Sequence, residues 1–203
     1  MKSVIEHYKI HEVMTMTNTT QLEGKKIAIL AAELFEDTEL TYPYYRLQEA
    51  GAEVTLIGLE KTSYTSKHGY SVDADVSIDD VQAKDFDGVV IPGGYAPDKL
   101  RRHESVLEFV RNMDETGGMI AAICHAGWVP ISAGITEDRG MTCYHAIKDD
   151  VINSGANYHD EPVVIDGNFI TSRSPDDLPH WLPAIINHLT EKQVPAEAAE
   201  PIA

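Results

Sequence analysis

Cys124 and His125 follow the apolar run Met119–Ile123 and precede the small residues Ala126 and Gly127. A buried strand that ends in a small-residue turn places the thiol at a strand-to-helix corner, the arrangement of a nucleophile elbow. There the sulfur lies at the end of a parallel sheet, near helix N-terminal amides whose partial positive charge favours thiolate over thiol. A nucleophile of this kind needs a group to hold its proton, donors for a developing oxyanion, and a base. Glu36, at the end of the first strand, is the candidate carboxyl for the sulfur, and His125 is the candidate general acid/base. Gly93 and Gly94 permit close backbone approach, so the amides of Gly94 and Ala126 are candidate oxyanion donors.

Each element also has a plainer reading. A cysteine in an apolar stretch is often a small buried hydrophobe, Glu36-Asp37-Thr38-Glu39 is a helix-entry composition, and Pro92-Gly93-Gly94 is an ordinary loop by composition. The corner position and the adjacent histidine decide for chemistry at Cys124. Cys143 has no such context and is read as structural. A metal reading would use Cys124, His125, Cys143 and His145, but their separation is wrong for a compact zinc motif and adjacent ligands are sterically awkward. No metal is expected. No cofactor is expected either, since the Pro-Gly-Gly segment lacks the glycine spacing of a dinucleotide fingerprint or a P-loop.

These residues require a scaffold of alternating strands and helices. Strands are expected at 26–32, 54–58, 88–91, 119–123, 163–166 and 169–172, and helices at 42–50, 105–116, 127–133, 146–154 and 176–191. A small antiparallel excursion fits 63–76. The alternation implies an α/β fold with a mainly parallel central sheet. Ligands of such sheets bind outside the carboxyl ends of the strands. The segments 33–37, 92–94 and 124–126 all fall at such ends, so they can converge on one pocket although they are far apart in sequence.

The 203 residues suit one α/β domain, taken as 25–191, between polar tails at 1–24 and 192–203. Sixteen basic against thirty-three acidic residues give a net charge of −17, which argues against nucleic-acid phosphates as partners. No apolar run approaches the ~18 residues of a membrane span, and the first twenty residues lack the features of a secretory signal. The cytoplasm is the expected compartment, with both cysteines reduced.

Six blocks, FEDTELTYPYYRLQEAGAEV (35–54), KHGYSVDAD (67–75), FDGVVIPGGYAPDKLR (86–101), AAICHAGWVPISAG (121–134), IKDDVINSGA (147–156) and VVIDGNFITSRSPDDL (163–178), resemble in that order those of the PfpI-type intracellular peptidases, in the superfamily of the Parkinson-associated protein deglycase. The resemblance spans about 26–189. It implies a three-layer sandwich of flavodoxin-like or class I glutamine amidotransferase-like type, with Cys124 as nucleophile, Glu36 as the carboxyl on its sulfur and His125 as its neighbour. It further implies that Asp98, where the family commonly has Glu, reaches the histidine of an adjoining subunit in a homodimer or hexamer with the active site near the interface. Ala126-Gly127-Trp128 departs from the Gly-Pro that many relatives carry after the histidine. The activity so implied is that of a stress-response hydrolase acting on glyoxal or methylglyoxal adducts and releasing a hydroxy acid. The alternatives are peptide hydrolysis and, in a different class, a redox sensor or chaperone-like protein that uses an oxidisable Cys124.

Overall fold

The computed structural model describes residues 21–191. Its centre is a seven-stranded sheet built on β1 (Lys26–Ala31), β2 (Glu53–Gly58), β6 (Gly88–Ile91) and β7 (Met119–Ile123). The sheet is completed by the short β5 (Val76–Ser77) and by the hairpin of β10 (Val163–Asp166) and β11 (Phe169–Ser172). The order is β10-β11-β7-β6-β1-β2-β5, and every pairing is parallel except β10 with β11. β6 and β7 are buried at every position and β1 at all but its first. Unbroken burial is the mark of a parallel strand covered on both faces, and it explains why these strands read as continuous apolar runs.

The chain leaves β1 towards β2 through α1 (Asp37–Glu49) and leaves β6 towards β7, on the other side of β1, through α3 (Glu104–Glu115). Right-handed crossovers in opposite directions put these two helices on opposite faces. α6 (Leu178–Glu191) joins α1, and α4 (Trp128–Ala133) joins α3. The apolar stripes that face the sheet are Val106, Phe109, Val110 and Met113 on α3, and Trp181, Leu182, Ile185 and Leu189 on α6. The mainly parallel α/β sheet expected from the alternation is observed, and so is the three-layer sandwich implied by the resemblance. Reversal of winding direction between β1 and β6 opens a crevice at the carboxyl ends of the strands.

The expected excursion is present as the antiparallel pair β3 (Ser63–Thr65) and β4 (Ser71–Asp73). Three details differ from expectation. α1 begins at Asp37, not at Tyr42, because Pro43, which reads as a helix-start signal, lies inside the helix. α5 (Lys148–Asn153) is shorter than the expected 146–154, its first turn being a 3-10 helix at His145–Ile147. A short helix, α2 (Ala96–Leu100), and the two-residue pair β8 (Gly140–Met141) and β9 (Asn157–Tyr158) were not expected. Of the tails, 1–20 and 192–203 lie outside the described residues. The turn at 21–24 belongs to the folded body instead, since Leu22 is fully buried and its amide bonds the Ala50 carbonyl at 2.8 Å. Among the described residues no helix is long and apolar enough to cross a membrane.

Candidate active site

β7 delivers Cys124 into a 3-10 turn (Cys124–Gly127) that runs directly into α4, which Gly134 closes in the left-handed conformation. Cys124 itself has φ +64°, a region that non-glycine residues seldom occupy. Leu34, in the loop after β1, has the same φ. Two of the three non-glycine residues with positive φ among the described residues therefore stand in the loops around the sulfur, where backbone strain is held by surrounding structure.

Two of the strand-end segments, those after β1 and β6, are joined by main-chain hydrogen bonds. Phe35 and Gly94 form an antiparallel bridge. The Glu36 amide donates to the Gly93 carbonyl at 3.3 Å and the Tyr95 amide to Leu34 at 2.8 Å. The β3–β4 hairpin joins the same ladder, with Leu34 N–H on the Thr65 carbonyl at 2.7 Å and Lys67 N–H on that of Phe35 at 3.0 Å. Gly94 must be glycine here, because with φ +73° a Cβ would lie 2.5 Å from the Glu36 amide nitrogen.

The carboxyl beside the sulfur belongs to Glu39, one turn into α1, and not to Glu36. Glu39 is 0% exposed, and its Oε2 accepts the Gly93 amide at 2.8 Å. Burial, followed by the Glu36 charge, drives its carboxyl up to about 7. Oε1 is buried with no hydrogen-bond partner among the described residues, and the Cys124 sulfur is close enough to couple to the ionisation of the carboxyl. Glu36 points elsewhere, since its carboxylate pairs with Lys67 Nζ at 2.6 Å. The helix register explains the exchange: Glu39, Leu40, Pro43 and Leu47 form the buried stripe of α1, whereas Glu36 is its half-buried N-cap.

Cys124 is 8% exposed. Burial and then the Glu39 charge push its thiol well above the usual range, while the N–H groups of Gly94 and His125 donate to the sulfur and oppose the rise. The expected pull of amides towards thiolate is thus present but outweighed, first by burial and then by the Glu39 charge. Glu39 and Cys124 are coupled groups, the Glu39 charge raising the thiol while the sulfur's hydrogen bond lowers the carboxyl. The Gly94 amide, expected as a donor to a substrate oxyanion, here faces the sulfur itself. The second donor on the sulfur is His125, and Ala126 lies fully buried one residue farther along the turn.

His125 turns towards its neighbour, with Nδ1 3.3 Å from Cys124 Sγ. Its ring sits between Trp128 and Tyr144, at centroid distances of 5.3 and 5.0 Å. Burial, then the positive charge of Lys67 and the nearby His145, lowers its pKa and favours neutral imidazole. A neutral ring at this distance can accept the thiol proton or return one to a leaving group. Trp128, at the departure from Gly-Pro, anchors its indole N–H on Asp150 at 2.8 Å and carries the Arg101 guanidinium over its face at 5.4 Å.

Asp98 projects from α2 with its side chain 54% exposed and paired to Arg102 of the same chain. Within one chain it is not brought to His125. Among the described residues, the side chains with metal-ligand spacing are Glu36, Asp37 and His68, whose ligand atoms lie within 4.8 Å of one another. They differ from the cysteine and histidine set weighed from the sequence. Lys67 already occupies Glu36, and Asp37 accepts from Ser66 and faces His68 Nδ1 at 2.7 Å. A groove of about 590 Å³ between the 78–84 segment and α3 shares no residue with the Cys124 site.

The model of the DJ-1/PfpI family matches residues 25–188. The chain belongs to the DJ-1/PfpI family. Its similarity to the family's curated members is extensive. It is 46% identical over 157 residues to "Deglycase PfpI" of Pyrococcus furiosus, covering 77% of this chain and 95% of the relative. It is 44% identical over 156 residues to "Putative cysteine protease YraA" of Bacillus subtilis, covering 76% and 92%. Among solved structures, Drosophila melanogaster DJ-1beta superposes with a TM-score of 0.76 at 31% identity, over 83% of this chain and 92% of that one. The family resemblance read from the six sequence blocks is thereby shown, and with it the fold class.

Sequence reasoning missed two residues of this DJ-1/PfpI site. Glu39 carried a usable signal, an acidic residue on the apolar stripe of a helix, which becomes visible once α1 is extended back to Asp37. Lys67 carried none, because only the hairpin's attachment to Phe35 brings it to the crevice.

Proposed function

We propose that this protein is a cysteine-dependent hydrolase of glyoxal and methylglyoxal adducts, with Cys124 as nucleophile. The observation that carries the reading is the Glu39–Cys124 unit with His125 Nδ1 3.3 Å from the sulfur. A thiolate made by leaving the proton on Glu39 attacks the aldehyde-derived carbon of a hemiaminal or hemithioacetal adduct and expels the amine or thiol, which takes up a proton. His125 removes the proton from the carbon now bound to sulfur and returns it to the adjacent carbon, while the hydroxyl proton of the first carbon passes to the neighbouring carbonyl oxygen, converting the adduct to a thioester. The N–H groups of Gly94 and His125, which face the sulfur, stand ready for the charge that develops beside it. Water then cleaves the thioester and releases lactate or glycolate together with the free thiolate.

The working form in this reading is a cytoplasmic homodimer or hexamer with the site near a subunit boundary. Leu34, Tyr45, Tyr70 and Tyr95, on the loops and helix around the crevice, are all exposed apolar or aromatic side chains, which supports burial against another copy. Asp98 is then the acid that reaches His125 of a neighbouring subunit. Peptide hydrolysis is the second reading. It is favoured by the name of the Bacillus relative and by the same thiol and amide donors.

The test is to incubate the protein and its Cys124→Ser variant with methylglyoxal and with a methylglyoxal-modified thiol, following lactate by chromatography. Cys124-dependent lactate over many turnovers is the expected result. No lactate from a wild-type thiol that still reacts with an alkylating probe sinks the reading and favours peptide substrates.

A further inference from the structure

Lys67 is the residue of the crevice that the reaction above leaves unused. It sits between β3 and β4, and its N–H on the Phe35 carbonyl ties it to the Phe35–Gly94 bridge, whose second member donates an amide to Cys124. Its ammonium lies 2.6 Å from Glu36, yet its side chain is still 34% exposed. Lys67 is coupled to the ionisation of Cys124, Glu39 and His125 alike. A paired but accessible ammonium at the mouth of a crevice is a ready donor to an anion that enters, because a charge-assisted hydrogen bond to a carboxylate can replace the one to Glu36.

We propose that Lys67 is the anion-binding residue of this site, selecting small ligands with a carboxylate next to the carbon at the sulfur, among them the hydroxy-acid product. Glu36 is its counterion and positions the ammonium while the crevice is empty. The inference rests on the hydrolase reading for the identity of the product, but not for its test.

The test uses two alkylating agents of nearly equal size, iodoacetate and iodoacetamide. Each transfers its CH₂ carbon to the Cys124 thiolate and releases iodide, and only the first carries a carboxylate on that carbon. The rate constants for Cys124, followed by mass spectrometry of the full-length protein, give a selectivity ratio in which any change of thiolate fraction cancels. Lys67→Met is expected to lower the ratio of iodoacetate to iodoacetamide about tenfold, Lys67→Arg to keep most of it, and Glu36→Gln to raise it. The variant carrying both Lys67→Met and Glu36→Gln has the net charge of the wild type, and its ratio is expected to stay several-fold below wild type. Glycolate is expected to slow iodoacetamide labelling of the wild type and not of Lys67→Met. A double-variant ratio equal to wild type, or glycolate protection that survives Lys67→Met, overturns the assignment and leaves Lys67 as a mere balance for Glu36. Absence of lactate formation from methylglyoxal leaves these ratios unchanged, so the two readings fail separately.

Discussion

Glu39 Oε2 and the Cys124 Cβ flank Gly93 so closely that a methyl group on Gly93 would lie 2.6 Å from one and 2.7 Å from the other. Gly93→Ala is therefore expected to force the carboxyl and the thiol apart while leaving the outer layers intact. Overpacking of this kind costs ~1–3 kcal/mol. Chemical denaturation should show that loss, and labelling of Cys124 by iodoacetamide should slow at the same time. Unchanged labelling would mean that the closeness of the pair does not govern reactivity.

The pair also sets a pH dependence. With Glu39 raised to about 7, acidification through that value gives both groups a proton and removes thiolate. Cys124 reactivity is expected to rise as pH increases through about 7 and then to level off, because further base does not change how the remaining proton divides between carboxyl and sulfur. Glu39→Gln removes the site that accepts the proton, and burial alone then holds the thiol up. Its reactive step should move to higher pH, with a rate at neutral pH lower by roughly tenfold or more, since the thiolate fraction falls tenfold each time the thiol pKa rises by one. A profile that peaks at acid pH, or is unmoved in Glu39→Gln, contradicts the shared-proton account.

Stability should respond in the opposite sense to reactivity. An acid whose folded pKa lies above its unfolded value contributes fully below the unfolded pKa, and that contribution is lost as pH rises through the folded one. For Glu39, raised from 4.5 to about 7, the loss between those values is on the order of 3 kcal/mol. Glu39→Gln, which can still accept the Gly93 amide, is expected to gain on wild type as pH goes from 4 to 8. Urea unfolding at both ends of the range measures this, and a gap that does not widen refutes it.

Asp98 can be tested without a structure of the assembly. Cys124→Ser and Asp98→Ala protomers are each expected to be inactive or nearly so. When they are mixed under conditions that allow subunit exchange, lactate formation should return, because one protomer supplies the thiol and the other the carboxylate. Failure of a demonstrated mixed oligomer to recover activity would place Asp98 outside the site, where its pairing with Arg102 already occupies it.

The parts legible in sequence were those fixed by local pattern. β6, β7, β10 and β11 have the expected boundaries because runs such as GVVI and MIAAI admit one burial state. The Cys124 corner was readable for the same reason, as a strand end followed by small residues. The start of α1 was not, since Pro43 imitates a first turn and outweighed the true helix entry at Glu36–Glu39. That error of five residues carried over to the carboxyl, for it left Glu36 and Glu39 in one undivided segment. β5, β8 and β9 are two residues each and have no period to detect. The elevation of the Cys124 thiol could not be read at all, because it depends on burial and on a carboxyl 85 positions away in sequence.

The left-handed backbone at Cys124, φ +64°, also limits what this corner can become. A β-branched side chain is a genuine outlier at such an angle. Serine, which is not branched, can replace the thiol without rebuilding the turn, but threonine cannot. Descendants of this site, natural or designed, are thus confined to unbranched nucleophiles, so new chemistry must come from the loops that face the sulfur while the sulfur's own position stays fixed.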